Sequence, residues 1–148
     1  MKFKFPFHNV MKHRKTLEDI AQRDFQESFS NLIAENEKLK KMHDLVSDAR
    51  QSAFKFQTDG GKSAPALSQV HEFLKNQDIR IERQQKKVQE CEKQVEDLRE
   101  ILRQKAIDYK IIESLKSRKL LEFKKEQSKK ELKETDDMSI MRAGIKNK

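Results

Sequence analysis

Apolar side chains recur at intervals of seven through the second half of the chain, at Leu67, Leu74, Ile81, Val88, Val95, Leu102 and Tyr109. Val70, Cys91, Leu98 and Ile112 occupy the complementary offset of three, and the positions between are dense in Glu, Lys, Arg and Gln. This spacing lays one narrow apolar stripe along a helix whose other faces meet water, the pattern of a coiled coil. The first half carries its own stripe, Phe25, Leu32, Leu39, Val46 and Ala53, with Met42, Ala49 and Phe56 at the half-steps. Upstream, Val10, Leu17 and Ala21 fall one residue out of that frame, which predicts a change in winding near Asp24.

Proline occurs only at Pro6 and Pro65 and glycine only at Gly60, Gly61 and Gly144, so residues 7–59 and 66–143 run free of either helix breaker. Pro6 can open a first helix over about 7–57, since the N–H it lacks would be unpaired there. The stretch 58–65 reads as a turn, with Gly60 and Gly61 supplying conformational freedom, Ser63 a cap and Pro65 the start of a second helix. A connection this short makes the helices antiparallel neighbours. Facing residues then have numbers adding to 123, and Phe56 with Leu67, Ala53 with Val70, Met42 with Ile81 and Phe25 with Leu98 all satisfy that. Two stripes meeting in the register set by the turn favour a self-folded hairpin over a parallel homodimer.

Some facing layers are polar: Val46 meets Gln77, Leu39 meets Gln84, Glu35 meets Val88 and Ser28 meets Val95. Two consequences are open, a seam that bends there for want of apolar burial, or one covered by long stems whose polar heads reach water. The second helix outlasts the first: residue 7 faces residue 116, yet helical composition continues to about 134. From Lys116 to Lys133 this overhang holds eight Lys or Arg against three Glu. Residues 135–148 read as a flexible tail. The expected fold is all-α, one elongated domain over 1–148 formed by a long antiparallel coiled-coil hairpin with an overhanging C-terminal helix.

Composition agrees, because 34% hydrophobic and 39% charged residues leave too little apolar material for a globular core, and no run alternates long enough to build a sheet. One cysteine, on the stripe, rules out a disulfide framework, and no stretch approaches a membrane span or a signal peptide. A cytoplasmic protein is expected. Gly61-Lys62-Ser63 lacks the upstream glycine of a phosphate-binding loop, and His8, His13, His43 and His71 do not fall at ligand spacing. No metal, cofactor or catalytic constellation is expected. A net charge of +8 admits nucleic acid as a partner, but acids interleave the lysines and no recognition face appears. Phe3, Phe5 and Phe7 with Lys2 and Lys4 would make only a weak interfacial anchor. Residue pattern alone therefore leads to a non-enzymatic coiled-coil interaction protein.

The two ends go further. Phe5 and Phe7 stand one residue apart, followed by the aliphatic pair Val10 and Met11 and then Arg14; near the other end Asp136 and Asp137 precede Met138, Ser139 and Arg142. This arrangement resembles the FliJ family of flagellar export proteins over the whole chain, Pro6 being a departure. The resemblance implies a cytoplasmic component of the flagellar type III export apparatus, peripheral to the inner membrane. Such a chain is a coiled coil similar to the central stalk of rotary ATPases, which binds the hexameric export ATPase, promotes ring assembly and couples the ring to the export gate. Export chaperones are further implied partners. The same architecture serves the stalk of virulence-type secretion systems, and a generic basic coiled-coil adaptor is the remaining alternative.

By this resemblance Phe5, Phe7, Val10, Met11, Arg14, Asp136, Asp137 and Arg142 are ATPase-side candidates, expected to gather at the terminal end. Alternatively Val10 and Met11 only close the seam against Ile112 and Glu113, and the phenylalanines cover the overhang near Leu120 and Phe123. Arg14, Asp136 and Asp137 have no evident core role, which favours them as contacts. His71-Glu-Phe-Leu-Lys resembles the family's gate-binding segment, and Phe73, off the stripe beside Leu74, is the export-gate candidate; Gln77, Arg80 and Gln84 depart from that pattern.

Overall fold

The computed structural model describes residues 2–58 and 64–146. Two α-helices account for nearly all of them, α1 at His8–Thr58 and α2 at Ala64–Lys146, and no strand occurs among the described residues. The fold is an all-α hairpin. Pro65 sits in the first turn of α2, where its missing N–H costs nothing. The rest of the expected turn, including Gly60, Gly61 and Ser63, lies outside the described residues.

Packing divides the described chain into two compact units, one built from the segments up to Asp19 and from Arg103 onward, the other from Ile20–Leu102. In the Ile20–Leu102 unit the covered positions of α1 are Ala21, Phe25, Ser28, Leu32, Glu35, Leu39, Met42, Val46, Ala49, Ala53 and Phe56, an unbroken 3–4 alternation. On α2 the stripe from Leu67 to Leu102 is covered in the same rhythm, with Ile81, Val88 and Val95 buried. Each buried aliphatic contributes about 1.5–3 kcal/mol, so this stripe is the main source of cohesion. Lys87 pairs with Glu35 at 3.6 Å and Arg99 lies over the Phe25 ring at 5.7 Å, pairs whose residue numbers add to 122 and 124, as the antiparallel register requires.

The polar layers overturn the expectation that their heads reach water. Ser28, Gln77 and Gln84 are only 4%, 5% and 8% exposed, so their heads do not reach water. The Gln84 amide instead crosses the seam, donating to the Glu35 carbonyl at 2.9 Å and to the Glu35 carboxylate at 2.6 Å. The Ser28 hydroxyl donates back to the Phe25 carbonyl at 2.8 Å. The Gln77 carbonyl oxygen is buried without a hydrogen-bond partner. The Gln84 hydrogen bond, followed by the nearby Lys38 and Lys87, holds the Glu35 carboxyl below the usual 4.5, against the opposing pull of desolvation.

In the other unit, the covered residues of α1 are Met11, Arg14, Leu17 and Glu18. The slip in winding expected near Asp24 does not carry the seam away from its frame. Arg14 and Glu18 take the seam positions, Val10 is left 42% exposed, and only Leu17 is covered one place early. The apolar residues looked shifted because charged ones occupy the true frame. Pro6 does not open α1 either: the His8 N–H donates to the Phe5 carbonyl at 3.2 Å, a turn with Pro6 in its favoured second position. That turn lays the phenylalanines alongside α2, with Phe3 against Phe123 at 5.5 Å between centroids, Phe7 edge-on to Phe5 at 5.8 Å, and Phe5 buried.

The second helix does not stop near 134. It continues through the expected tail to Lys146, since 135–143 contains no breaker and the Thr135 hydroxyl is taken up by the Glu131 carbonyl at 2.8 Å. The side chains of Met138, Ile140, Met141 and Ile145 stand 61–73% exposed along this last stretch.

Two glutamines seven residues apart on the same stripe are expected to respond with opposite sign. Gln77→Leu removes a buried carbonyl without a partner and raises the unfolding free energy by about 1–2 kcal/mol, whereas Gln84→Leu removes the donor that crosses to Glu35, leaving it Lys38 and Lys87, and lowers the unfolding free energy. Equal effects would refute the cross-seam hydrogen bond. Because the folded state holds the Glu35 carboxyl low, its contribution is present above the unfolded carboxyl value and is lost as pH falls through the folded one. Chemical denaturation from pH 6 down to about pH 3 should therefore show a smaller acid-induced loss in Glu35→Gln than in the parent chain.

Candidate interaction surfaces

A hairpin that closes its own apolar stripe offers partners only what remains outside it. The eight candidates drawn from the two ends of the sequence fall into three groups. Phe5, Met11 and Arg14 belong to the packing of their unit. Phe5 is buried, and Met11 is covered on the seam, where Ile112 is buried on the other helix. The Arg14 guanidinium crosses to α2 and donates to the Asp108 carbonyl at 2.8 Å. Lys15 lies over the Tyr109 ring at 5.1 Å on the same seam. Arg14 thus has the core role that the sequence did not reveal.

Phe7, just before α1, and Val10, on its first turn, form the second group, 43% and 42% exposed. Asp136, Asp137 and Arg142 form the third, all exposed on the last turns of α2. The groups do not gather as expected. Phe3 meets Phe123, and Asp136 lies thirteen residues further along α2, about 20 Å by helical rise. The two exposed sets are therefore separate patches on one unit.

In the Ile20–Leu102 unit Phe73 is 39% exposed beside the seam residue Leu74. A second feature of this unit carried no sequence signal strong enough to single it out. Val46 and Ile81 line an open groove of about 730 Å³ together with Phe54, which is 68% exposed, and with His43, Arg50, Lys55 and Asp78. Phe54 follows Ala53 directly and so stands off the stripe, as Phe73 does; that adjacency was the available clue. Asp78 lies five residues, or about 140° of helical rotation, from Phe73, so the groove occupies the opposite flank of the seam.

Among the described residues no three His, Cys, Asp or Glu side chains come together to hold a metal, and no helix is long and apolar enough to cross a membrane. What the surfaces present is apolar anchors among charges, which suits recognition by other proteins.

Comparison with known proteins narrows this. The family model described as Flagellar FliJ protein matches residues 3–148. The chain belongs to the FliJ family. It is 27% identical over 143 residues to the flagellar FliJ protein of Bacillus subtilis strain 168, with 95% of each chain covered. A solved structure described as a YscO homolog, CT670 from Chlamydia trachomatis, superposes with a TM-score of 0.68 over 97% of both chains at 19% identity, which establishes a shared fold. FliJ membership makes this a coiled-coil protein of flagellar type III export, a structural family rather than a catalytic one.

The placements above separate packing residues from surface residues by a stability measurement. Arg14→Ala should cost about 1–2 kcal/mol in urea denaturation, the loss of one hydrogen bond from a charged donor, while Phe73→Ala should stay within about 0.5 kcal/mol of the parent. A large loss on removing Phe73 would show it to be a packing residue.

Proposed function

We propose that this FliJ-family chain is a non-enzymatic stalk of the flagellar export machine that binds the hexameric export ATPase, favours ring assembly and couples the ring to the membrane export gate. The observation that carries this reading is the self-closed antiparallel hairpin, with α2 extending beyond α1, in a chain matched by the family over residues 3–148. A closed pair of antiparallel helices is stiff and asymmetric, properties suited to seating on a ring's axis, by analogy with the central stalk of rotary ATPases. The unit carrying both ends of the described chain is assigned to the ATPase, with Phe7, Val10, Asp136, Asp137 and Arg142 as direct contacts and Phe5, Met11 and Arg14 as the packing that holds them. The Ile20–Leu102 unit is assigned to the gate through Phe73. Export chaperones are further partners of this assembly.

ATP hydrolysis by the cognate flagellar export ATPase, with the chain added at about one per ring, tests the reading. Stimulation accompanied by more hexamer is expected, and the pair Phe7→Ala with Val10→Ala should reduce apparent affinity roughly tenfold without loss of helicity. Phe73→Ala should leave stimulation intact and weaken binding to the gate's cytoplasmic domain. Unchanged hydrolysis and unchanged hexamer would reduce the function to that of a coiled-coil adaptor.

A further inference from the structure

The unit containing Arg103–Lys148 carries a second heptad pattern, on the face of α2 turned away from α1. The covered stripe there runs through Tyr109, Ile112, Lys116, Phe123 and Gln127. On the opposite side Ile107, Ile111, Leu121 and Leu132 stand 42%, 59%, 57% and 66% exposed. Between them, at the missing steps of a 4–3–4–3 alternation, lie Ser114, Arg118, Lys125 and Ser128, all exposed. The alternation from 107 to 132 is unbroken and extends about 37 Å by helical rise. It also repeats every fourteen residues: Ile107 with Leu121, Lys110 with Lys124, Ser114 with Ser128. The repeats shape two shallow notches, one lined by Ile107, Lys110, Ile111, Ser114 and Arg118, the other by Leu121, Lys124, Lys125, Ser128 and Lys129.

Aliphatic residues at heptad spacing with small serines between them form holes that accept the knobs of a neighbouring helix. A lipid surface or a phosphate backbone would instead call for a continuous apolar or basic face. Arg118 and Lys125 occupy core positions of the pattern, Lys110 and Lys124 run along one flank, and no core position holds an acid. Desolvating Arg118 and Lys125 is costly unless the neighbour supplies carboxylates. The 107–132 stripe of a second copy does not supply them, since none of its core positions is acidic. Parallel pairing would set Arg118 against Arg118 and Lys125 against Lys125, and an antiparallel register that pairs Leu121 with Leu132 leaves Lys125 facing Ser128.

We propose that this outer face docks a helix of a different protein, one presenting Glu or Asp opposite Arg118 and Lys125 and aliphatic side chains opposite Ile107, Ile111, Leu121 and Leu132. The third helix converts a two-helix unit into a three-helix one. The proposal is independent of the stalk reading, since no step of it requires the ATPase or the gate.

The test uses the full chain and two labelled synthetic peptides of about four heptads. Both have leucine at the core positions except the two that face Arg118 and Lys125; one carries glutamate there and on its flanks, the other lysine. Anisotropy titration should show the glutamate peptide binding at least tenfold more tightly than its lysine twin. Arg118→Glu with Lys125→Glu should reverse that order, and Ile111→Glu with Leu121→Glu should abolish both interactions while circular dichroism stays unchanged. Equal affinities, no binding of the glutamate peptide up to about 1 mM, or indifference to both double variants would overturn the proposal. So would a response to phosphatidylglycerol vesicles, random duplex DNA or self-association that is lost in Ile111→Glu with Leu121→Glu when neither peptide binds.

Discussion

Burial of one apolar stripe against another is the interaction on which this protein depends. Each helix alone exposes that stripe, and neither has a sheet or a further helix within the described chain to cover it. Packing α1 against α2 removes Val46, Ala53, Ile81, Val88 and Val95 from water in the Ile20–Leu102 unit and Ile112 in the other, where the segment before α1 buries Phe5. Among the described residues no large side chain is fully buried, as expected of a seam two helices wide. Cohesion therefore comes from many modest contacts repeated along the helices.

Within such a seam polar residues set register more than they add stability. Gln84 reaches both the backbone and the carboxylate of Glu35, and Arg14 reaches the Asp108 carbonyl. A slip of one heptad would leave these groups buried and unpaired, a penalty larger than the loss of an equivalent apolar contact. This gives a physical reason for tolerating Gln and Arg where leucine would pack more tightly. Gln77 lacks such a partner, and its buried oxygen is the cost of that layer.

The closed seam also decides what kind of function is available. Most serines, acids and histidines of the described residues lie on helix surfaces, and the apolar features left exposed are Phe7 and Val10, Phe73, the groove beside Phe54, and the outer heptads of α2. They are divided between the two units. Membership of the FliJ family supplies the flagellar export setting.

The sequence by itself determined the all-α class, the two helices, the antiparallel register and the family, because heptad spacing, breaker positions and end motifs are all local properties of the chain. It placed Phe73 on the surface for the same reason. Tertiary structure alone decided which polar residues are buried, since Gln84 becomes a cross-seam donor only when Glu35 is brought opposite. It moved Arg14 into the packing and decided for Phe5 the packing role that the sequence had left open, because the reach of a guanidinium and the turn at Pro6 depend on what lies across the seam. It also separated Phe7 and Val10 from Asp136 and Asp137, by keeping α2 helical through the segment that composition suggested would fray. The second heptad stripe on α2 was present in the sequence, but only burial of the first showed which of the two faces outward.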